Sequence, residues 1–145
     1  MRHPKTLVVL ASEHETRMLV NEGPGRGLVQ IERFEPAEDP ARYTDRPDRV
    51  QESASSARSA IEPRTSLRAQ HREAAARQIV ERLARMEEEG RFDRLVIAAA
   101  PPLLGVLRDA LPGRLARLIH ADLDKDLIHV PADALPPHLV GILRL

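Results

Sequence analysis

Cysteine and tryptophan are absent from this 145-residue chain, and Phe34, Tyr43 and Phe92 are its only Phe, Trp or Tyr side chains. Without thiols there is no disulfide, no thiolate metal site and no cysteine nucleophile. Three rings cannot lay out the broad stacking platform used on single-stranded nucleic acid, so Leu, Val, Ile and Ala must build the core. Excess charge is missing too. The 22 Lys plus Arg balance 22 Asp plus Glu, which leaves local charge distribution as the only electrostatic pointer to a partner. No apolar run approaches the roughly 20 residues of a membrane-spanning helix, so no membrane insertion is expected. The start, MRHPKTLVVLASE, lacks the long apolar region and small-residue cleavage pattern of a signal peptide. The expectation is a cytoplasmic protein with a single domain over residues 1–145.

The strongest positive signal is Arg91 to Leu111, RFDRLVIAAAPPLLGVLRDAL. Leu95 to Ala100 is short and unbroken in its apolarity, the pattern of a parallel strand covered on both faces. Pro101 and Pro102 cannot donate to a sheet but suit the first positions of a helix, which Leu103, Leu104, Leu107 and Leu111 would stripe. The turn between them carries neither a Gly-rich phosphate fingerprint nor a nucleophile elbow.

Three strands are expected before it. Thr6 to Leu10 is central by its apolarity, and Thr16 to Val20 alternates. Asn21 to Gly27, NEGPGRG, has the chemistry of a hairpin loop, and Leu28 to Phe34 follows with Val29 and Ile31 on one face, Gln30 and Glu32 on the other. Such short connections imply an antiparallel meander. Downstream, Thr65 or Ser66 is placed to cap a helix over Leu67 to Glu89, ended by Gly90 and striped by Ala75, Ala76, Ile79, Leu83 and Met86. Glu87 to Glu89 oppose the dipole of that helix, which predicts fraying or an outside contact. Ala116 to Leu123 reads as a further strand and Ile128 to Val130 as a short extended piece. Helix is expected near Ala132 and Pro136, burying Leu139, Ile142 and Leu143.

Between Glu35 and Ser66 the periodicity disappears, and Pro36, Pro40, Pro47 and Pro63 interrupt the chain. A connection of that length predicts a mobile loop over 35–66. From Ala41 to Arg72 seven arginines (Arg42, Arg46, Arg49, Arg58, Arg64, Arg68, Arg72) face four acids (Asp45, Asp48, Glu52, Glu62). Two readings stay open: a solvated charged loop, or a binding loop whose Arg forks meet RNA or another acidic surface. Tyr43 would add one ring, and His71 begins the helix where a partner would reach it.

For catalysis, Glu13 and the Asp122, Asp124 and Asp126 turn are carboxylates at strand ends, the raw material of a Mg²⁺ nuclease site. Yet Val8, Val9, Val96 and Ile97 put no acid on the adjoining strands that would fix a cluster. His14, His71, His120, His129 and His138 form no HxH or HExxH pair, and Ser12 has no identifiable base. No metal and no cofactor is expected.

The ordered set TLVVLAS, NEGPG, YTDRPDRV, EPRTSLRAQHREAAARQIVERLA, EEGRFDRLVIAAAPPLLGVLRDAL and DLDKDLIHV resembles the bacterial host attachment protein family over nearly the whole chain. That family looks related to the central domain of archaeal and eukaryotic peptide-chain release factors. The resemblance implies a mixed five-stranded α/β sheet, ribonuclease H-like, in order 3-2-1-4-5, with strands 1–3 antiparallel and flanking helices. The Gly-Gly-Gln tripeptide by which release factors promote peptidyl-tRNA hydrolysis is missing: Tyr43 to Ser66 has no glycine, and its only glutamine is Gln51. A Gly-rich patch of many family members is replaced by Ser53 to Arg58. The positions matching family motifs are Asp45, Arg46, Pro47, Glu62, Pro63, Arg64, His71, Glu73, Lys125, Asp126 and Leu127. The reading is a noncatalytic factor associated with translation-related RNA, with tRNA, rRNA or the ribosome as partners. Its binding residues would be Tyr43, Asp45, Arg46, Arg49, Arg58, Arg64, Arg68, His71 and Lys125. The alternatives are a protein-interaction or attachment factor, and a phosphodiester or aminoacyl-ester hydrolase.

Overall fold

The computed structural model describes residues 3–36 and 61–145, with side chains of the second stretch from residue 67 onward. Five strands make one open sheet in the order β3-β2-β1-β4-β5. They are β1 (Thr6–Ala11), β2 (Thr16–Asn21), β3 (Val29–Phe34), β4 (Arg94–Ala99) and β5 (Ile119–Leu123). β1, β2 and β3 are antiparallel, whereas β4 lies parallel to both β1 and β5. The mixed α/β sheet expected from the resemblance is therefore present.

Alternation along the central strands sorts the core into two layers. Leu7, Val9, Ala11, Leu95, Ile97 and Ala99 face the helices α1 (Ile61–Glu88), α2 (Pro101–Ala110) and the single turn α3 (Gly113–Ala116). Val8, Leu10, Val96 and Ala98 face Leu127, Ile128, Leu135, Leu139 and Leu143 of the C-terminal segment. Both sides of β4 are thus dry, which is why its sequence is uniformly apolar. α2 starts at Pro101 with the carbonyl of Ala100 accepting from the Leu104 N–H at 2.9 Å.

Several boundaries differ from expectation for identifiable reasons. α1 begins at Ile61, so Thr65 and Ser66 lie inside it and not at its start. Pro63 falls in the first turn, where its missing N–H has no intrahelical acceptor to lose. Residues 61–66 therefore belong to the helix and not to a loop; the remaining expectation of mobility falls on 37–60, outside the described residues.

α1 ends in a Schellman arrangement, with Gly90 at φ +70° and the Arg91 N–H reaching the Met86 carbonyl at 3.0 Å. Arg114 of α3 meets the adverse acids there, its Nε 3.0 Å from Glu87 Oε1, outside hydrogen-bond angle.

A bulge in β3 pairs Leu19 with Gln30 and Met18 with Glu32, leaving Ile31 extra. The expected separation of Ile31 from Glu32 is thereby overturned. Ile31 packs on the helical-side core and Glu32 pairs with Arg82 of α1, while Val29 is left 60% exposed. Of the residues expected to extend β5 upstream, Ala116 ends α3 and Arg117 and Leu118 form a turn. Ile128 to Val130 is a turn, not an extended piece: the Val130 N–H bonds the Leu127 carbonyl at 3.0 Å. The two expected late helices are 3-10 turns, Ala132–Ala134 and Pro136–Leu139.

Candidate functional site

The carboxyl ends of β1 and β4 lie side by side, Ala11 level with Ala99, and in open α/β sheets ligands bind outside such ends. Thr16 of β2 pairs with both Ala11 and Phe34, so β3 leaves the sheet at this same edge. A cleft of about 220 Å³ opens there, lined by Ser12, Glu13, His14, Leu103 and Asp126 with the two strand ends.

The turn that carries Ser12 to Glu15 is built by the serine itself. Its Oγ accepts from the N–H groups of Glu15 at 3.0 Å and His14 at 3.2 Å, and donates to the Glu15 carbonyl at 3.3 Å. That hydroxyl is committed to the backbone, which removes Ser12 from a nucleophile's role.

Glu13 accepts from Arg72 of α1 at 3.2 Å. One residue away on each element, the rings of His14 and His71 meet edge to face with centroids 6.5 Å apart. Asp126 Oδ1 accepts from the Ile128 N–H at 3.1 Å and shapes the turn after β5. The Thr16 hydroxyl is buried at this edge with no hydrogen-bond partner among the described residues.

Of the expected binding residues, His71 reaches this edge, and Lys125 stands exposed beside Asp126 on the bend after β5. Arg68 is exposed one turn before His71 on α1. Arg64 lies on the backbone of α1 with its side chain outside the description, and Tyr43, Asp45, Arg46, Arg49 and Arg58 lie outside the described residues. Glu73 points elsewhere, into a groove between α1 and α2 shared with Arg77 and Asp109. Leu127 is core.

The carboxylates considered for metal do not converge. Asp122 forms a two-pronged contact with Arg108 of α2, both bonds at 2.9 Å. That hydrogen bond holds the Asp122 carboxyl below its ordinary value. Asp126 faces the cleft at the β1 end. Among the described residues no group of three His, Asp or Glu side chains is placed to hold a metal ion.

Arg17 was not singled out by its sequence context. Only 8% exposed on β2, it donates from Nη1 to the carbonyls of Ile128 (3.0 Å) and Val130 (2.6 Å) and from Nε to Gln30 Oε1 (2.8 Å). A charged residue directly before the apolar run Met18-Leu19-Val20 was the only available hint.

Comparison with known proteins gives one family. Residues 7–139 match the family described as "Protein required for attachment to host cells". An uncharacterized protein, RP470, of Rickettsia prowazekii (strain Madrid E) is 31% identical over 78 residues, a match spanning 52% of each chain. Among solved structures, the archaeal translation termination factor aRF1 superposes with a TM-score of 0.44 and 11% identity, over 81% of this chain and 29% of that one. A second, described as an archaeal protein, gives a TM-score of 0.46 and 9% identity over 92% of this chain and 34% of its own. At those scores neither neighbour bears on function. Among the described residues no helix is long and apolar enough to cross a membrane.

Proposed function

This chain belongs to the family of proteins required for attachment to host cells, and from that premise we propose that it is a noncatalytic interaction factor docking a protein partner at the carboxyl edge of its sheet. The observation that carries this reading is the state of the edge's reactive groups. Among the described residues the Ser12 hydroxyl is committed to its own turn, Asp126 Oδ1 accepts from the turn after β5, and Glu13 is held by Arg72. What remains presented is recognition chemistry: the His14 and His71 rings, and the exposed cations Arg68 and Lys125. We place the protein in the cytoplasm, so that its part in attachment is indirect.

The experiment is a host-cell attachment assay in the source organism with Arg68→Glu combined with Lys125→Glu, alongside photo-crosslinking from position 68. Joint loss of attachment and of a protein crosslink supports the reading. Wild-type attachment by the double variant sinks it.

A second reading is favoured by a separate observation, the seven arginines against four acids from Ala41 to Arg72. On that reading the partner is tRNA, rRNA or the ribosome. RNA crosslinks from position 68, with affinity falling steeply as salt rises, would transfer the edge to it.

A further inference from the structure

At the opposite edge, where the parallel strands begin, a cleft of about 560 Å³ opens on the face covered by the C-terminal segment. Val8, Leu10, Val96 and Ala98 make the middle of that face apolar. Its last row is polar. Asn21, Thr6 and Arg94 stand in register on β2, β1 and β4, and His120 lies near them on β5.

The buried members of that row are already committed. Asn21 Nδ2 donates to the carbonyls of Gly23 (3.1 Å) and Gly27 (2.7 Å). Thr6 Oγ1 accepts from Arg94 Nε at 2.7 Å, which orients the guanidinium and leaves its two η nitrogens without a hydrogen bond or ion pair among the described residues. His120 Nε2 lies 2.9 Å from the Ile142 carbonyl oxygen. A carbonyl only accepts, so Nε2 carries the proton there and Nδ1 is the free ring atom.

The walls are fixed as firmly. Gly23, at φ +140°, lets His3 pack close, since a Cβ at that glycine would come within 3.1 Å of the histidine. The tail that brings Arg144 to the rim is tied down by the Gly25 N–H donating to the Leu145 carbonyl at 3.0 Å.

His3, Arg94, His120 and Arg144 therefore line one concavity, and no Asp or Glu lines it among the described residues. Arg33, Arg72, Arg82, Arg108 and Arg114 each lie against a carboxylate, whereas neither Arg94 nor Arg144 does among the described residues. Unneutralised cations in a concave site focus positive potential, and planar guanidinium forks match the paired oxygens of phosphate. The volume falls within the range of about 300–1,000 Å³ usual for small-molecule sites.

We propose that this amino-edge cleft binds a small phosphate-bearing ligand of at most mononucleotide size. Arg94 and Arg144 take the phosphate oxygens, with the His120 ring beside them on the cleft wall. The site is separate from the carboxyl edge and stands or falls independently of the partner docked there.

The test titrates the whole 145-residue chain with inorganic pyrophosphate, with AMP, and with a short RNA lacking terminal phosphate, following the histidine ring resonances by NMR. Pyrophosphate and AMP are expected to move His3 and His120 while leaving His14 and His71 in place. Arg144→Gln, an exposed change that spares the fold, weakens binding about tenfold, as does Arg94→Lys, which keeps the charge and removes the fork. Three results would overturn the proposal: unmoved His3 and His120 resonances at millimolar pyrophosphate, undiminished binding by both variants, or binding of the RNA alone.

Discussion

The helical face of the sheet is closed by regularly spaced apolar side chains, Ile79, Leu83 and Met86 from α1 and Leu103, Leu104 and Leu107 from α2. The other face is closed by residues 127–145, whose only regular structure is two 3-10 turns. That cover also buries leucines, yet its backbone cannot satisfy itself as a helix does. Arg17 takes two of its carbonyls, His120 meets a third, and the loop after β2 binds the terminal one. Polar contacts from the sheet thus perform for the irregular cover what intrahelical bonds perform for α1 and α2. The two covers should differ in how they fail.

The largest effect is expected on the helical side. Leu83→Ala opens a cavity at a fully buried position and costs about 2–5 kcal/mol, measured by denaturant unfolding; amide exchange should quicken throughout the sheet. Arg17→Leu keeps the buried volume apolar but strips two carbonyls of a charged donor, a loss of roughly 2–3 kcal/mol. Its exchange signature should be local, with amides of 127–145 losing protection while β1 and β4 keep theirs. Uniform loss in both variants would erase the distinction between the covers.

Gly90→Ala probes the end of α1. A side chain at φ +70° costs about 1–2 kcal/mol, read as a lower Tm.

The smallest effect is expected at Asp122. Arg108 holds that carboxyl below its ordinary value, so the native state favours the charged form. The contribution is present above the unfolded carboxylate value, about pH 4, and is lost as pH falls through the folded one. Asp122→Asn should lower Tm slightly at neutral pH, by an amount that shrinks on acidification. Solvent screening keeps it small, because Arg108 is half exposed.

How much of this was legible follows from the periods involved. β1, β4 and the start of α2 could be read because continuous burial writes itself as LVVLA and LVIAA, and because two prolines suit a helix's first turn. The start of α1 was misread because Pro63, taken as a breaker, is harmless at that position. The bulge in β3 was hidden, since one extra residue changes which face Ile31 and Glu32 occupy without altering the composition. At the carboxyl edge, His71, Lys125 and Asp126 were legible as motif positions. Their neighbours Glu13 and His14 drew notice only as generic carboxylate and imidazole, because α1 and the β1–β2 turn meet across 59 residues of chain.

The sequence by itself determined the class of this protein: an apolar doubly covered strand pair, an antiparallel meander before it, no thiol chemistry and no net charge to steer it. Each of these is a local property, fixed by residue type and spacing. Only the tertiary structure decided that Arg17 would staple the C-terminal cover, that Asp122 would be claimed by Arg108, and that Arg94, His120, His3 and Arg144 would share a cleft with no carboxylate among its described lining residues. The physical reason is common to all three. A cation's partner is set by which distant segments the sheet brings level with it, and sequence spacing carries no record of that distance.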